Sequence, residues 1–547
     1  MIQQVAIRHF KRFDDETFTF PDHVVLAGPN NTGKTTVLQA IAAWELALNH
    51  WRLLNDFQKR RHGYTRAPIA RQAFAAVPLR AFDLLWNQRQ ARGSIEIAVI
   101  GRDGWQITME FIADSTEQIY VRPTSAASAT DLRVLAIRTV FVPPMTGLST
   151  DEPVYQPAKQ RQLLGQGKPG DILRNLLIRA SEDQRVWREL QKAIDDLFRY
   201  QLLPPNALGA HIVAEYQASP GGPKLDIASA GSGFQQILML LTFLYTHEGS
   251  VLLLDEPDAH LHVILQARIY SKLRSVAAER KSQLIISTHS EVIIDSVEPR
   301  ELCMLLNRPK LLTNVAERDQ LRKALAVLSN MDILLALEAP GILYAEGHTD
   351  INLLGAWAKA LQHPLHDLFS KGLFWREAVS TEPLGGRGCK ASDHFEALKL
   401  VKPAMRGVEL IDGDAHPNIQ NTALAEGKLQ RLRWSRYEIE SYLFHPAALE
   451  RYIEAKVGRD IAEVHLAAAR QYMQDNLPPA VLREPLGDHD YLNTTKARTQ
   501  LIPPILHAAG LDTPYSDFNE IAAVMLPEEI HPEVREKLDA IQQAFNL

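Results

Sequence analysis

The sequence has little cysteine: Cys303 and Cys389 are the only two in 547 residues. That scarcity excludes a disulfide scaffold and a cysteine-rich zinc site, and it fits a reducing, cytoplasmic setting. Long apolar runs are lacking as well. The longest, Ile237 to Tyr245, is broken by Thr242 and is too short to span a bilayer, so no membrane partner is expected. Neither sign of charge dominates, since 59 Lys+Arg against 65 Asp+Glu leave a formal net charge of −6. That balance argues against a basic coat for nucleic acid but leaves room for a local basic groove. There is no internal repeat, and the opening Met1-Ile2-Gln3-Gln4 has no signal-peptide pattern. What remains is an ordinary soluble composition, 46% apolar and 23% charged. At about 150 residues per domain the chain can bury several cores.

Hydrophobic patterning predicts an α/β protein. Residues 2–10 alternate, and 16–27 read as strands. GSIEIAVIG and WQITMEF read as two more, joined by the turn Arg102-Asp103-Gly104. Residues 133–142, RVLAIRTVFV, predict another strand stopped by Pro143-Pro144, and 155–205 turn helical and charged. VLLLD at 251–255 and LIIST at 284–288 read as fully buried parallel strands. After a helical connector over 315–338, a second α/β pattern starts: ILYAE at 342–346, a helix over 349–362, and VELID at 408–412. Strands alternating with helices in both halves predict two parallel-sheet domains in series.

Gly28-Pro29-Asn30-Asn31-Thr32-Gly33-Lys34-Thr35-Thr36 sits between a predicted strand and a predicted helix. Its glycines let backbone N–H groups wrap phosphates at a helix N-terminus. Lys34 would reach the β and γ phosphates of ATP, and Thr35 would hold Mg²⁺. Asp255, ending the strand VLLLD, would complete the metal shell, and Glu256 beside it would polarise the attacking water.

The second half carries separate acidic clusters. Glu346-Gly347-His348-Thr349-Asp350 ends one strand and opens a helix. Asp412-Gly413-Asp414 ends another, and in extended chain the side chains of Asp412 and Asp414 point the same way and can share an ion. Strand ends of a parallel sheet converge at its carboxyl edge, so Glu346 would face them. Glu438 and Glu440 follow in Arg436-Tyr437-Glu438-Ile439-Glu440-Ser441-Tyr442-Leu443, and Lys496 lies in Leu492-Asn493-Thr494-Thr495-Lys496. Mg²⁺ or Mn²⁺ suits such a set. Two basic stretches read as phosphate tracks or as solvated faces. One has Lys59, Arg60, Arg61, His62, Arg66 and Arg71, with Trp51 and Tyr64 nearby; the other has Lys428, Arg431, Arg433 and Arg436, with Trp434. Gly385-Gly386-Arg387-Gly388 reads as a flexible loop.

These motifs together resemble the OLD (overcoming lysogenisation defect) family, in which an ABC-type ATPase head is fused to a Toprim nuclease domain. Asp255-Glu256-Pro257-Asp258-Ala259-His260-Leu261-His262 resembles its Walker B and D-loop, and Ser287-Thr288-His289-Ser290 its switch-histidine segment. Ser229-Ala230-Gly231-Ser232-Gly233-Phe234-Gln235-Gln236 stands where the signature belongs, departing from LSGGQ but keeping Ser232 and Gly233. No Q-loop glutamine is assigned. The resemblance implies ATP at Gly28, Asn30, Asn31, Gly33, Lys34, Thr35, Thr36 and Asp255, completed by Ser232 and Gly233 of another head, hence a homodimer or higher oligomer or a partner protein. It implies catalytic Glu256 and His289. It also implies metal ligation by Glu346, Asp350, Asp412, Asp414, Glu438 and Glu440, with Lys496 near the scissile phosphate of a nucleic acid, DNA foremost. The expected layout is an ATPase head over 1–310 with a helical insert at 150–205, a linker at 311–340, a Toprim domain at 341–450, and a helical region at 451–547. The expected activity is ATP-regulated phosphodiester hydrolysis, with bacterial anti-phage defence as the implied setting. A RecF-like ATP-gated binding module is the alternative, and a Toprim primase or topoisomerase is a weaker third.

Overall fold

The computed structural model describes all residues except 55, 56, 58, 62, 75, 78, 91, 92, 145, 146, 208, 220, 260, 378–389 and 414–419. Asp414, His62, His260, Cys389 and the 385–388 loop therefore lie outside the described residues. The chain divides into two compact units, Met1–Leu325 and Ala326–Leu547. The division falls inside the helix Val315–Val327, within the segment expected to link two domains. Among the described residues no helix is long and apolar enough to cross a membrane.

The first unit holds two six-stranded sheets. One is antiparallel and runs, in spatial order, Phe13–Thr19, Ile2–Phe10, Ile95–Gly101, Gln106–Ala113, Gln118–Pro123 and Ala67–Ala70. Its strands alternate: Ile95, Ile97 and Val99 are buried, as are Ile107, Met109 and Phe111, while their neighbours reach outward. The other sheet runs Pro309–Leu311, Leu302–Leu305, Val24–Ala27, Gln283–Thr288, Val251–Asp255 and Thr139–Val142. It is parallel except for the hairpin between its first two strands. The helix Lys34–Leu54 touches strands of both sheets, which is why it is apolar almost all round. Val37, Leu38, Ile41, Trp44, Leu48 and Trp51 are buried, and the Trp44 indole donates to Ile107 O at 3.0 Å. Val251–Asp255 and Gln283–Thr288 are buried at every position, as parallel strands covered on both faces should be.

The segment 133–142 departs from its predicted strand. Ser128 caps a short helix, Ala129–Val134, by accepting from the Asp131 N–H, and only Thr139–Val142 pairs into the sheet. The capping serine, not the apolar run after it, decides the local structure there. The expected helical stretch comprises Pro157–Gly165, Leu173–Glu182 and Gln184–Phe198, and the last two pack on the buried helix Ser232–Thr246.

The second unit is built on a parallel four-stranded sheet ordered Trp375–Glu377, Ile342–Ala345, Gly407–Ile411 and Leu429–Arg433. The helical region after 450 shares the sheet's core: one apolar cluster runs from Leu343 and Leu353 through Leu449 and Ile505 to Phe545. A side chain at Gly341 would sit 2.3 Å from the Phe545 ring. Residues 341–450 and 451–547 are therefore one folded body.

Candidate functional sites

The loop Gly28–Lys34 turns between the strand Val24–Ala27 and the helix that Lys34 begins. Two glycines are required by what surrounds them. A Cβ at Gly28 would lie 2.4 Å from Leu305 O, and Gly33 has φ +101° with Arg12 and Phe13 packed against it. Asn30 and Asn31 stand exposed on the crest, Asn31 at φ 64°. The buried Lys34 Nζ donates to Gly28 O at 2.6 Å and Pro29 O at 2.8 Å, and burial lowers its pKa. These two bonds tie the ammonium to the carbonyls of the loop itself.

Asp255 lies beside this loop. Thr35 Oγ1 donates to both of its carboxylate oxygens at 2.9 Å, and Ser287 Oγ donates to one. Burial raises the Asp255 pKa against those hydrogen bonds. Glu256 takes a left-handed backbone at φ 47°, an uncommon conformation for a side-chain-bearing residue that tends to occur at functional sites. Its N–H donates to Ser287 O at 3.0 Å, and its carboxylate lies 3.2 Å from His289 Nδ1. That hydrogen bond is the main reason the Glu256 pKa is lowered and the His289 pKa raised. Gln236 steadies the turn by donating to Glu256 O and Pro257 O.

Ser232 and Gly233 open the helix Ser232–Thr246, with Ser232 exposed. Among the described residues no hydrogen bond joins either to the phosphate loop. The segment before them is held from below. Gln235 Nε2 donates to Ile227 O, Ala228 O and Ala230 O. Asp226 receives the Arg174 guanidinium in a two-pronged pair at 2.8 and 2.9 Å, and Arg174 is 1% exposed. Pattern reading missed two residues here. Arg12, in the turn between the first two strands, donates to Asn31 O, and Arg174 comes from the helical stretch. The Lys11-Arg12 pair in a tight turn was the visible signal for the first; nothing in spacing marks the second.

Residues 149–295 match the family described as "AAA domain, putative AbiEii toxin, Type IV TA system". That span contains Ser232, Asp255, Glu256 and His289, and the phosphate loop lies upstream of it. The chain carries an AAA-type ATPase domain. Among solved structures it is similar to the SMC head domain from Thermotoga maritima, at 16% identity over 55% of this chain and 94% of that one with a TM-score of 0.31. It is also similar to the Smc head domain with an extended coiled coil bound to the C-terminal domain of ScpA derived from Pyrococcus furiosus, at 13% identity, 55% and 92% coverage and a TM-score of 0.34. No curated protein matches the sequence.

In the second unit, Glu346 and Asp412 follow the ends of two paired parallel strands. Asp350, Asp412, Glu438 and Glu440 are all buried. Backbone N–H groups hold three of them: Glu346 N donates to Asp350 at 3.0 Å, Ile439 N to Asp412 at 3.0 Å, and Arg498 N to Glu438. Burial raises the pKa of Asp350 and lifts Glu440 to about 7. The cation they face is Arg498. Its guanidinium lies 3.7 Å from Glu438 and 3.9 Å from Glu440. Burial works against its charge, but Glu440, Glu438, Asp412 and Asp350 together raise its pKa.

Lys496, expected near a scissile phosphate, lies outside these contacts. It is exposed, its Nζ lies 6.0 Å from the Tyr437 ring centre, and no ion pair joins it to a carboxylate among the described residues. Much of the neighbouring basic stretch is engaged within the protein, although Lys428 is exposed. Trp434 is buried, Arg431 pairs with Glu409 at 2.6 Å, and the buried Arg436 spends its fork on Ser441 O, Pro485 O and Gly487 O. In the first stretch Trp51 and Tyr64 are core side chains, Lys59 donates to Ser125 O, and Arg71 pairs with Glu117. Aromatics buried in this way cannot stack on bases.

Proposed function

We propose that the protein is an ATP-regulated, divalent-metal-dependent nuclease of the OLD type, whose second unit is a Toprim nuclease domain extended by the helical region. One observation carries the reading: the buried Asp350, Asp412, Glu438 and Glu440, from three separate stretches, lie about Arg498, with the exposed Glu346 following the end of the strand Ile342–Ala345. Burying that much negative charge is costly unless a cation compensates it. The donor set is all oxygen, as Mg²⁺ or Mn²⁺ requires, and among the described residues the buried Ser441 hydroxyl next to Glu440 has no hydrogen-bond partner. Asp414, the remaining carboxylate expected there, lies outside the described residues. Divalent ions at the two sites would supply positive charge to phosphate oxygens. Water would attack phosphorus and the ester P–O bond would break, leaving a phosphate and a hydroxyl. A RecF-like module that binds nucleic acid without cutting is the second reading. It is favoured by one fact: among the described residues no three His, Cys, Asp or Glu side chains are placed to hold one ion as they stand. Incubating the protein with plasmid, linear DNA and tRNA, with Mn²⁺ and with or without ATP, separates the two.

In the head, Lys34 would bind the β and γ phosphates while Thr35 and Asp255 would hold Mg²⁺. Glu256 would polarise the water, with His289 fixing its carboxylate. The exposed Ser232 and the half-buried Gly233 would complete the nucleotide site of a second head. Glu256→Gln with ATP is therefore expected to give a dimer by light scattering. Ser232→Arg added to Glu256→Gln should abolish that dimer, and Ser232→Arg alone should cut hydrolysis while nucleotide binding persists; a monomer that hydrolyses normally with ATP bound would contradict this. Arg174→Met tests the support beneath the signature. ATP turnover should fall on the order of tenfold, equivalent to about 1.4 kcal/mol at the transition state, with ATP affinity unchanged. Turnover at the wild-type rate would make the Arg174–Asp226 pair purely architectural.

A further inference from the structure

The acidic site of the second unit is arranged about a guanidinium. Arg498 is drawn toward Glu438 and Glu440 and is within the field of Asp350 and Asp412, yet its two ion-pair distances, 3.7 and 3.9 Å, are those of a loose pair. Its backbone is tied by a hydrogen bond while its head makes only long ion pairs. The Arg498 N–H is hydrogen-bonded to Glu438, and the residue lies in a π-helical turn, Ala497–Leu501, a local distortion found often at functional sites. The Arg498 side chain is 39% exposed, whereas those of Glu438 and Glu440 are 4% and 2% exposed. In the same position the guanidinium carbon lies 5.7 Å from the centre of the Tyr515 ring, so the head is flanked by an aromatic face on which a cation can rest.

We propose that Arg498 is the resident counter-cation of this site and that a divalent ion enters by displacing its guanidinium, which then turns to a phosphate oxygen of the substrate. The proposal rests on the metal-site reading given above. It explains why the carboxylates are spread about one arginine and not closed around a single point. A planar guanidinium is also a good ligand for phosphate, offering two parallel N–H donors. The exchange puts two positive charges where the guanidinium supplied one, which suits a site with several carboxylates about it.

The test is Mn²⁺ titration by calorimetry on the full-length protein, comparing wild type, Arg498→Met and Arg498→Lys. Asp412→Ala serves to identify heat that does not belong to this site. Thermal melts with and without Mn²⁺ accompany the titrations. With the competing charge gone, Arg498→Met should bind Mn²⁺ on the order of tenfold more tightly. Its metal-free melting temperature should fall below wild type and be restored by Mn²⁺. Arg498→Lys, which keeps the charge, should stay close to wild type in both measurements and so controls for folding. Equal or weaker Mn²⁺ binding by Arg498→Met, alongside clear binding by wild type, would overturn the displacement proposal and leave the metal site standing. Binding by none of them beyond what Asp412→Ala retains would overturn the metal site and this proposal together.

Discussion

Asp412→Ala should lower metal-dependent cleavage on the order of 100-fold or more while ATP hydrolysis stays near the wild-type rate. Losing one carboxylate from a metal site that stabilises phosphate charge should cost several kcal/mol at the transition state, and each 1.4 kcal/mol is about tenfold in rate. Asp412 also accepts the Ile439 N–H at 3.0 Å, so alanine removes a local tether as well as a ligand. Asp412→Asn retains an acceptor for that N–H but loses the charge. It should keep the wild-type melting temperature and still lose cleavage. Glu346→Ala, at the end of the paired strand, should match it. Cleavage that survives Asp412→Asn would place the chemistry elsewhere.

Lys34→Ala should abolish ATP binding, with affinity falling by on the order of 100-fold or more, because the phosphates lose their principal cation. The same ammonium holds Gly28 O and Pro29 O, so the loop loses its internal prop too. Glu256→Gln separates binding from turnover. It should bind ATP as wild type does and hydrolyse it on the order of 100-fold more slowly, because the water loses its polarising carboxylate. Filter binding with labelled ATP and a phosphate-release assay read the two effects independently. Equal ATP affinity in Lys34→Ala and wild type would sink the assignment of the loop.

The buried strands were the most legible part of the chain. VLLLD and LIIST announce themselves because a strand covered on both faces has no polar alternation to hide it. The phosphate loop was legible because its glycines are forced by backbone geometry and close packing, which leave a mark in sequence. RVLAIRTVFV misled because an apolar run does not say where a capping serine restarts the chain. The basic stretches stayed ambiguous because arginine buries its fork on carbonyls as readily as it offers it to phosphate, and Arg436 and Trp434 look the same in sequence either way. Arg498, two positions after Lys496, was not singled out in the sequence, because finding it depends on side-chain direction in an irregular turn. Neither period 2 nor period 3.6 applies in a π-helical segment. Arg174 was invisible for a different reason. Its partner Asp226 is 52 positions away, and no local pattern records a contact at that range.

The central claim is that the acidic edge of the second sheet cuts nucleic acid under the control of ATP. Its most direct test is cleavage of plasmid, linear DNA and tRNA by purified protein with Mn²⁺, measured with and without ATP, for wild type, Lys34→Ala and Asp412→Asn side by side. The account predicts that wild type cuts at least one substrate at a rate that ATP changes. It predicts that Lys34→Ala cuts at a rate indifferent to ATP, and that Asp412→Asn does not cut. No cleavage of any substrate by wild type under either condition would contradict it.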